Sequence, residues 1–208
     1  MIYNSNMADR QVKLQNSEDV RERILQAADA RLQQYGYNKT TMAEIASDCT
    51  MSAANLYRYF ESKLDIGAAL AGCCLREEED KLTAIIAQKE TSASDRLEQY
   101  ILEMLRHTHH HWSTLPRIDE MVGDICKSRP EMVQQHLDCK RKQLKTLING
   151  GNTSGEFHVE FVGAAADAIL AATTVFDVPH FMHMRALEEF ESLAHSLTAL
   201  LLKGLCAR

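Results

Sequence analysis

The feature that most constrains the fold is a set of three helix-start signals that lie close together, at Thr41, Ser52 and Ser62. A side-chain oxygen at such a position accepts a hydrogen bond from a free backbone N–H of the first helical turn. Glu44 follows Thr41, and Asp65 follows Ser62, at the spacing of a capping box. The three signals predict two very short helices between two longer ones. A short pair of helices joined by a tight turn has the geometry of a helix-turn-helix.

Helical periodicity extends over the rest of the chain. Val20, Ile24, Leu25, Ala28 and Leu32 recur with the spacing of one helix face. The chain has only 3 Pro and 9 Gly, so few residues interrupt helices, and no segment alternates as a strand does. We therefore predict an all-α fold of about nine helices. The predicted helices cover residues 18–35, 42–49, 53–59, 63–88, 93–114, 117–127, 131–148, 159–176 and 184–205.

Two glycine-containing positions are the predicted helix stops. Gly36 follows the last apolar turn of the first helix, and Asn149-Gly150-Gly151 follows the seventh. Residues 152–158 are predicted to form a loop that contains Gly155.

Charge and cysteine content narrow the function classes. The net charge is −6, so any DNA-binding surface must come from the local placement of cations. The 6 Cys include no C-x-x-C pair, and most lie in apolar helical patterns, where reduced Cys behaves as a small hydrophobic residue. No secretory signal and no apolar run of roughly 18–20 residues is present, which predicts a cytoplasmic protein without a membrane span.

A specific family resemblance lies in the segment from Thr41 to Lys63. The segment reads TMAEIA from Thr41, MS at Met51, LYRYF from Leu56, and SK at Ser62. This string resembles the DNA-binding signature of the TetR family of transcriptional regulators. The resemblance implies a DNA-binding three-helix domain and a larger helical domain that binds effectors and dimerises. The corresponding domain limits are a flexible arm at 1–16, a helix-turn-helix domain at 17–62, and the larger domain at 63–208.

The resemblance assigns phosphate contacts to several positions of this segment. Thr41 and Ser52 lie at predicted helix N-termini, where free N–H groups and the helix dipole favour an anion. Tyr57, Tyr59 and Lys63 correspond to phosphate-contacting positions of the family, and each can donate a hydrogen bond. For the two tyrosines, packing against the core is the alternative role.

Base recognition is expected from the exposed start of the second short helix. Ala53, Ala54 and Asn55 occupy that position. Asn can make a paired contact to adenine, and Ala can contact a thymine methyl group. Arg58 has the reach for a phosphate or a guanine.

Thr50 departs from the family pattern, which has Gly at this place in the turn. A β-branched residue is costly where the backbone requires a positive φ. Either the turn differs in this chain, or Thr50 is strained.

The C-terminal part is expected to dimerise and to bind a small-molecule effector that releases the DNA. By resemblance, the last two predicted helices pair with their copies in a four-helix bundle. A small-residue face and an apolar stripe support this pairing: Ala164, Ala165, Ala168, Ala171 and Ala172, and Leu193, Leu197, Leu200 and Leu201. The alternative is that both faces are buried within one subunit. The candidate effector-pocket residues are Met, His, Ile or aromatic side chains on helices that could line a cavity: Met104, His107, His111, Trp112, Met121, Ile125, Phe176 and His180.

Neither a cofactor nor a metal site is expected, although the histidines near residue 110 leave one alternative. His107 and His111 share a helix face at a spacing that can bind a metal, but no H-E-x-x-H pattern accompanies them. Pocket lining and a plain surface role are the other options. Cys73 and Cys74 allow a redox switch, with core filling as the simpler role.

No nucleophile–base pair or phosphate-binding loop is present in the sequence, so we expect a DNA-binding regulator rather than an enzyme. Repression is the usual mode of action in the family. A metal- or redox-responsive regulator and a helical enzyme or scaffold are the rivals.

Overall fold

The computed structural model describes residues 3–115 and 117–206, with side chains described from Ser17 onward. These residues form nine α-helices and one 3₁₀ helix, and they contain no strand beyond an isolated bridge between Phe157 and Cys206. The prediction of an all-α fold is confirmed. The helices are α1 (Tyr3–Tyr35), α2 (Met42–Asp48), α3 (Ala53–Leu56), α4 (Lys63–Ile86), α5 (Ala93–Thr114), α6 (Ile118–Ser128), α7 (Pro130–Ser154), α8 (Val162–Asp177) and α9 (Leu187–Leu205), with the 3₁₀ helix at Pro179–Met184.

The chain divides into two compact units, each with its own apolar core. The N-terminal unit extends to Ala71 and includes Leu115–Ile125, and the C-terminal unit comprises Gly72–Thr114 and Cys126–Arg208. In the N-terminal unit, buried side chains of α1 to α4 pack together: Ile24, Ala28, Met42, Ile45, Ala46, Cys49, Leu56, Phe60 and Ile66. In the C-terminal unit, α5 packs against α7, α8 and α9 around a larger core that includes Tyr100, Ile101, Met104, Leu105, Leu144, Leu147, Ile148, Phe176 and Phe190.

Most helix ends agree with the sequence signals, but α1 begins earlier than predicted. It starts at Tyr3, whereas the sequence placed its start near residue 18. The first two residues of the predicted flexible arm at 1–16 lie outside the described residues. The flexibility of the arm stays a prediction. The predicted stop at Gly36 is confirmed: its φ is 81°, and its N–H donates to the Leu32 carbonyl at 2.9 Å.

The predicted stop of the seventh helix at Asn149-Gly150-Gly151 is wrong, because α7 continues to Ser154. The glycine at 151 serves close packing instead: a Cβ there would lie 2.2 Å from Cδ2 of the buried Phe157 ring. The helix ends at Gly155, whose φ of 77° suits glycine. Asn152 then holds the returning chain, since its side chain both donates to and accepts from the backbone of Val159, at 2.8 and 2.9 Å.

A buried network of charged side chains crosses the core of the C-terminal unit. Lys140 of α7 has a fully buried side chain, and its Nζ donates to Glu78 Oε1 at 3.1 Å and to the Asp177 carboxylate. His136, one turn before Lys140, contacts Glu78 at 3.3 Å and Glu79 at 2.7 Å. Burial opposes the charged form of Glu78, yet His136 and Lys140 lower its pKa to about 2. Burial opposes the charged form of Lys140 as well, but contacts with Asp177 and Glu78 raise its pKa above the ordinary value. The charged lysine therefore links α4, α7 and α8.

No helix in the ranges 3–115 and 117–206 combines the length and the apolar character that a membrane crossing needs.

Candidate DNA-binding site

The candidate site is the exposed side of α2 and α3, which rests on a closed apolar core. Ile45, Ala46 and Leu56 are at most 1% exposed, and Phe60 is 3% exposed. These four side chains belong to the apolar core of the N-terminal unit. Ala46 lies where α2 meets α3, and its small side chain permits the close crossing of the two helices.

Both short helices begin with the predicted side-chain caps. The Glu44 N–H donates to Thr41 Oγ1 at 3.3 Å, and the Thr41 N–H donates to Glu44 Oε2 at 2.8 Å, so the capping box is complete. Ser52 Oγ accepts from the Asn55 N–H at 3.2 Å. These hydrogen bonds set where α2 and α3 begin, and hence which side chains face outward.

Two arginines of α1 hold the short helices in place. Arg31 donates from Nη2 to Asp48 Oδ1 at 2.9 Å and lies 3.4 Å from the Glu44 carboxylate. Arg21 donates to the Tyr59 carbonyl at 2.6 Å, and its guanidinium lies 4.2 Å from the centre of the Phe60 ring. Both contacts join residues far apart in the chain, and the local sequence pattern contained no signal for them.

The turn between α2 and α3 has the geometry expected of the family, with Thr50 at the glycine position. Its φ is 56°, in the left-handed region. The Met51 N–H donates to the Ala46 carbonyl at 2.9 Å, and the Thr50 N–H donates to the Ser47 carbonyl at 3.0 Å, which is the Schellman arrangement. Of the two options stated from the sequence, the structure supports a strained Thr50 in an ordinary turn.

The outer side of α3 carries an exposed group of side chains. The helix ends at Leu56, earlier than predicted, but turn hydrogen bonds continue to Phe60. Ala54, Tyr57 and Arg58 are exposed, with Tyr57 at 52%, whereas Ala53, Asn55 and Tyr59 are half-buried. Tyr59 also packs against the core.

Three further candidate residues surround this group. Thr41 and Ser52 are exposed at the starts of α2 and α3. Lys63, at the start of α4, donates to the Tyr37 carbonyl at 2.7 Å and lies 4.3 Å from the centre of the Tyr37 ring. Burial lowers the pKa of Lys63 below its ordinary value. Sequence reasoning missed Tyr37, which is 5% exposed and positions the lysine.

The candidate pocket residues of the C-terminal unit do not share one environment. Met104 and Phe176 are fully buried in its apolar core. His107 is buried, and His111 and Trp112 are half-buried near the end of α5. His107 and His111 have ring centroids 4.6 Å apart.

The other three pocket candidates lie elsewhere. Met121 and Ile125 of α6 are buried in the N-terminal unit, where Met121 packs beside Gly67 and Tyr37. His180 is exposed in the 3₁₀ helix. The pocket assignment stays a prediction for all eight residues.

Comparison with known proteins agrees with this geometry. Residues 24–70 match the family model described as bacterial regulatory proteins, tetR family, and residues 93–197 match the tetracyclin repressor-like C-terminal domain. No curated protein matches the chain in sequence.

Several solved structures share the fold. A transcriptional regulator from Cytophaga hutchinsonii is 23% identical with a TM-score of 0.69, over 89% of this chain and 98% of that one. SmeT, the repressor of the Stenotrophomonas maltophilia multidrug efflux pump SmeDEF, is 19% identical with a TM-score of 0.62, over 90% of each chain. A SmeT–triclosan complex is 17% identical with a TM-score of 0.63, over 91% of this chain and 92% of that one.

The capped helix pair, the turn and the exposed side of α3 define a helix-turn-helix DNA-binding protein. The chain belongs to the TetR family of bacterial regulatory proteins, because its family models match both the helix-turn-helix and most of the larger unit.

Proposed function

We propose that the protein is a repressor that binds a palindromic operator as a dimer and is released by a small-molecule effector. The observation that carries the proposal is the exposed side of α3 and of the turns that follow it, where Ala54, Tyr57 and Arg58 are exposed and Ser52 caps the start of the helix. An exposed helix face on a closed core is what insertion into a major groove requires.

Within this proposal, the residues divide between bases and phosphates. Ala53, Ala54 and Asn55 face the base edges, and the Asn55 amide makes the sequence-specific contact to adenine. The remaining positions hold the DNA backbone through hydroxyl groups, cationic side chains and helix starts. They are Thr41, Ser52, Tyr57, Arg58, Tyr59 and Lys63.

An exposed apolar surface on α8 and α9 supports dimerisation through the last two helices. Leu193 is 41% exposed and Leu200 is 64% exposed on α9, and Phe161, just before α8, is 71% exposed. Ala164, Ala168, Ala171 and Ala172 are exposed on α8. A face of small residues beside large exposed apolar ones suits the close approach of a second copy. Dimerisation would place two copies of α3 in successive major grooves, about 34–36 Å apart.

Release of the operator by an effector is supported by the likeness to a solved repressor complex, and not by the geometry of a pocket in this protein. The SmeT–triclosan complex is a small-molecule complex of a repressor with this fold. In the proposed mechanism, effector and operator favour different conformations of the protein, so each weakens the binding of the other by linkage.

The test is a selection of binding sites from random duplex DNA with the full-length protein at a fixed, stated salt concentration. We expect a palindromic site. Asn55→Ala should lose about 1–3 kcal/mol of discrimination at one adenine of each half-site. Asn149→Ala, at an exposed position on α7, is the matched control and should leave site preference unchanged. Enrichment of no sequence by the folded, dimeric protein would refute operator binding.

Sedimentation tests the dimer separately. Leu200→Glu places a charge on the exposed apolar face and should yield monomers. Gln99→Glu adds the same charge at an exposed position of α5 and should leave the dimer intact. If Leu200→Glu remains dimeric, another surface forms the interface.

A further inference from the structure

Three potential metal ligands meet inside the C-terminal unit, from two helices. Cys74 lies on α4, and His107 and His111 lie one turn apart on α5. Cys74 Sγ is 3.2 Å from His107 Nε2, and one ligand atom from each of the three residues lies within 4.8 Å of the others. His107 is buried, and Cys74 and His111 are half-buried. Sequence reasoning considered only the two histidines, since the pattern does not show which side chain of α4 faces them.

We propose that Cys74, His107 and His111 form a binding site for a late first-row divalent transition-metal ion, with Zn²⁺ as the best-fitting ion. A thiolate and two imidazoles form a mixed sulfur–nitrogen donor set of the kind that zinc takes in proteins. Three protein ligands leave a fourth position for water or an exogenous ligand. The proposal goes beyond operator binding and does not depend on it.

The distances agree with tetrahedral coordination after a small adjustment. Zn–S bonds of about 2.3 Å and Zn–N bonds of about 2.0–2.1 Å place sulfur and nitrogen about 3.6 Å apart around a tetrahedral ion. The observed separation of 3.2 Å between Cys74 Sγ and His107 Nε2 needs to open by only a few tenths of an ångström. His111 lies one helical turn from His107 on the same face, with ring centroids 4.6 Å apart, so both imidazoles can face one ion.

The charges around Cys74 are of both signs. Burial is the largest cause that raises the pKa of the Cys74 thiol to about 12; the carboxylates of Glu78 and Glu77 raise it further, and Lys81 and Lys140 oppose them. A metal ion bound to the thiolate would replace its proton in this setting. On binding, the ion replaces the thiol proton, which leaves to solvent, and the thiolate gives its electron pair to the metal.

A second group of potential ligands in the same unit differs in one decisive way. Glu78, His136 and Asp177 also bring their ligand atoms together. The ammonium group of Lys140 already contacts the carboxylates of Glu78 and Asp177, so the lysine occupies the place that a metal cation would take in that group. Cys74 and His107 instead contact each other directly, and these two residues together with His111 carry the proposal.

The experiment is a titration of Co²⁺, as a spectroscopic probe for Zn²⁺, into the full-length, reduced and metal-free protein without DNA. We expect one Co²⁺ per chain, the near-ultraviolet charge-transfer absorption of a cobalt–thiolate bond, and loss of this absorption when Zn²⁺ displaces the probe. Cys74→Ser should abolish the absorption. His111→Ala should weaken metal binding at least tenfold. Loss of a residue that only hydrogen-bonds to a metal ligand already lowers metal affinity by about tenfold or more, and loss of a ligand should cost at least as much.

Neighbouring side chains provide matched controls. Cys73→Ser removes the adjacent, exposed thiol, and His110→Ala removes an adjacent, exposed imidazole. Both variants should retain the absorption and the affinity. Circular dichroism and urea unfolding of each variant verify that loss of binding is not loss of the fold.

Three results would overturn the proposal: no thiolate absorption in the wild type, an absorption that persists in folded Cys74→Ser, or unchanged affinity in folded His111→Ala. Because DNA is absent, none of these results bears on operator binding, and failure of the binding-site selection would leave the metal proposal intact.

Discussion

Replacing Thr50 by glycine should stabilise the N-terminal unit. Thr50 has a φ of 56° at the end of α2, and its side chain is exposed, so the substitution removes strain without removing a buried contact. A residue with a Cβ in this region costs about 1–2 kcal/mol relative to glycine. Glycine loses about 0.5–1 kcal/mol through its greater freedom in the unfolded chain. The free energy of unfolding should therefore rise by about 0.5–1 kcal/mol, since the first effect exceeds the second.

Urea unfolding and amide hydrogen exchange measure this effect. Exchange of the Met51 amide, which donates to the Ala46 carbonyl, reports directly on the turn and should slow in Thr50→Gly. Thr50→Ala keeps a Cβ at the strained position and should change the stability by less than the glycine variant. Gly36→Ala is the reverse test, because Gly36 has a φ of 81° at the end of α1 and should lose about 1 kcal/mol.

Two results would refute this reasoning. One is a Thr50→Gly protein that is no more stable than the wild type. The other is a Thr50→Ala protein that gains as much as Thr50→Gly, since removal of the β-branch rather than relief of the positive φ would then explain the gain.

Three further predictions concern the C-terminal unit. Lys140→Met should lower the free energy of unfolding in urea by about 3–5 kcal/mol, because it leaves Glu78 buried without its cation, and a loss below about 1 kcal/mol would contradict this. Burial lowers the pKa of His136, but Glu78 raises it further, to a net value above the ordinary 6.5, so its stabilisation is complete below pH 6.5 and is lost as the pH rises through the raised pKa. The stability difference between wild type and His136→Gln should accordingly be constant below about pH 6.5 and shrink as the pH rises above it, and a difference that stays constant above pH 6.5 would refute the assignment. Gly151→Ala should destabilise by about 1–3 kcal/mol through overlap with the ring packed against it, whereas Gly150→Ala, whose Cβ would meet nothing closer than 3.9 Å, should be neutral or slightly stabilising.

Signals that act within one helical turn were readable from the sequence. Thr41 with Glu44 formed the expected capping box, and Ser62 with Asp65 capped α4 with side-chain contacts of 2.8 and 3.1 Å. The unusual position of Thr50 was readable too, because the family pattern has Gly at this place in the turn, but the sequence left open whether the turn differs or Thr50 is strained; its φ of 56° supports the strain. In each case the partners are at most a few residues apart, so their spacing alone determines the geometry.

Contacts between distant parts of the chain were not readable in this way. The sequence predicts a helix stop at Gly151, but in the structure this residue lies within the helix and lacks a side chain so that the ring of Phe157 can pack against it. Cys74 and His107 come together only because α4 and α5 lie side by side. Glu156 likewise accepts hydrogen bonds from the first N–H groups of α5, at 2.7 Å from the Ala93 nitrogen, although it follows α7 in the chain. A single sequence contains no periodicity that reports such pairs.

The bond from Lys63 to the Tyr37 carbonyl has a mechanical consequence. It joins the first turn of α4 to the connection between α1 and α2, and Ile66, one turn further along, is 1% exposed in the same core as Leu56. The first turns of α4 are thus held by a hydrogen bond and by the apolar core of the N-terminal unit. Within this unit, a rotation of the start of α4 would carry α2 and α3 with it and change the direction in which the exposed side of α3 faces.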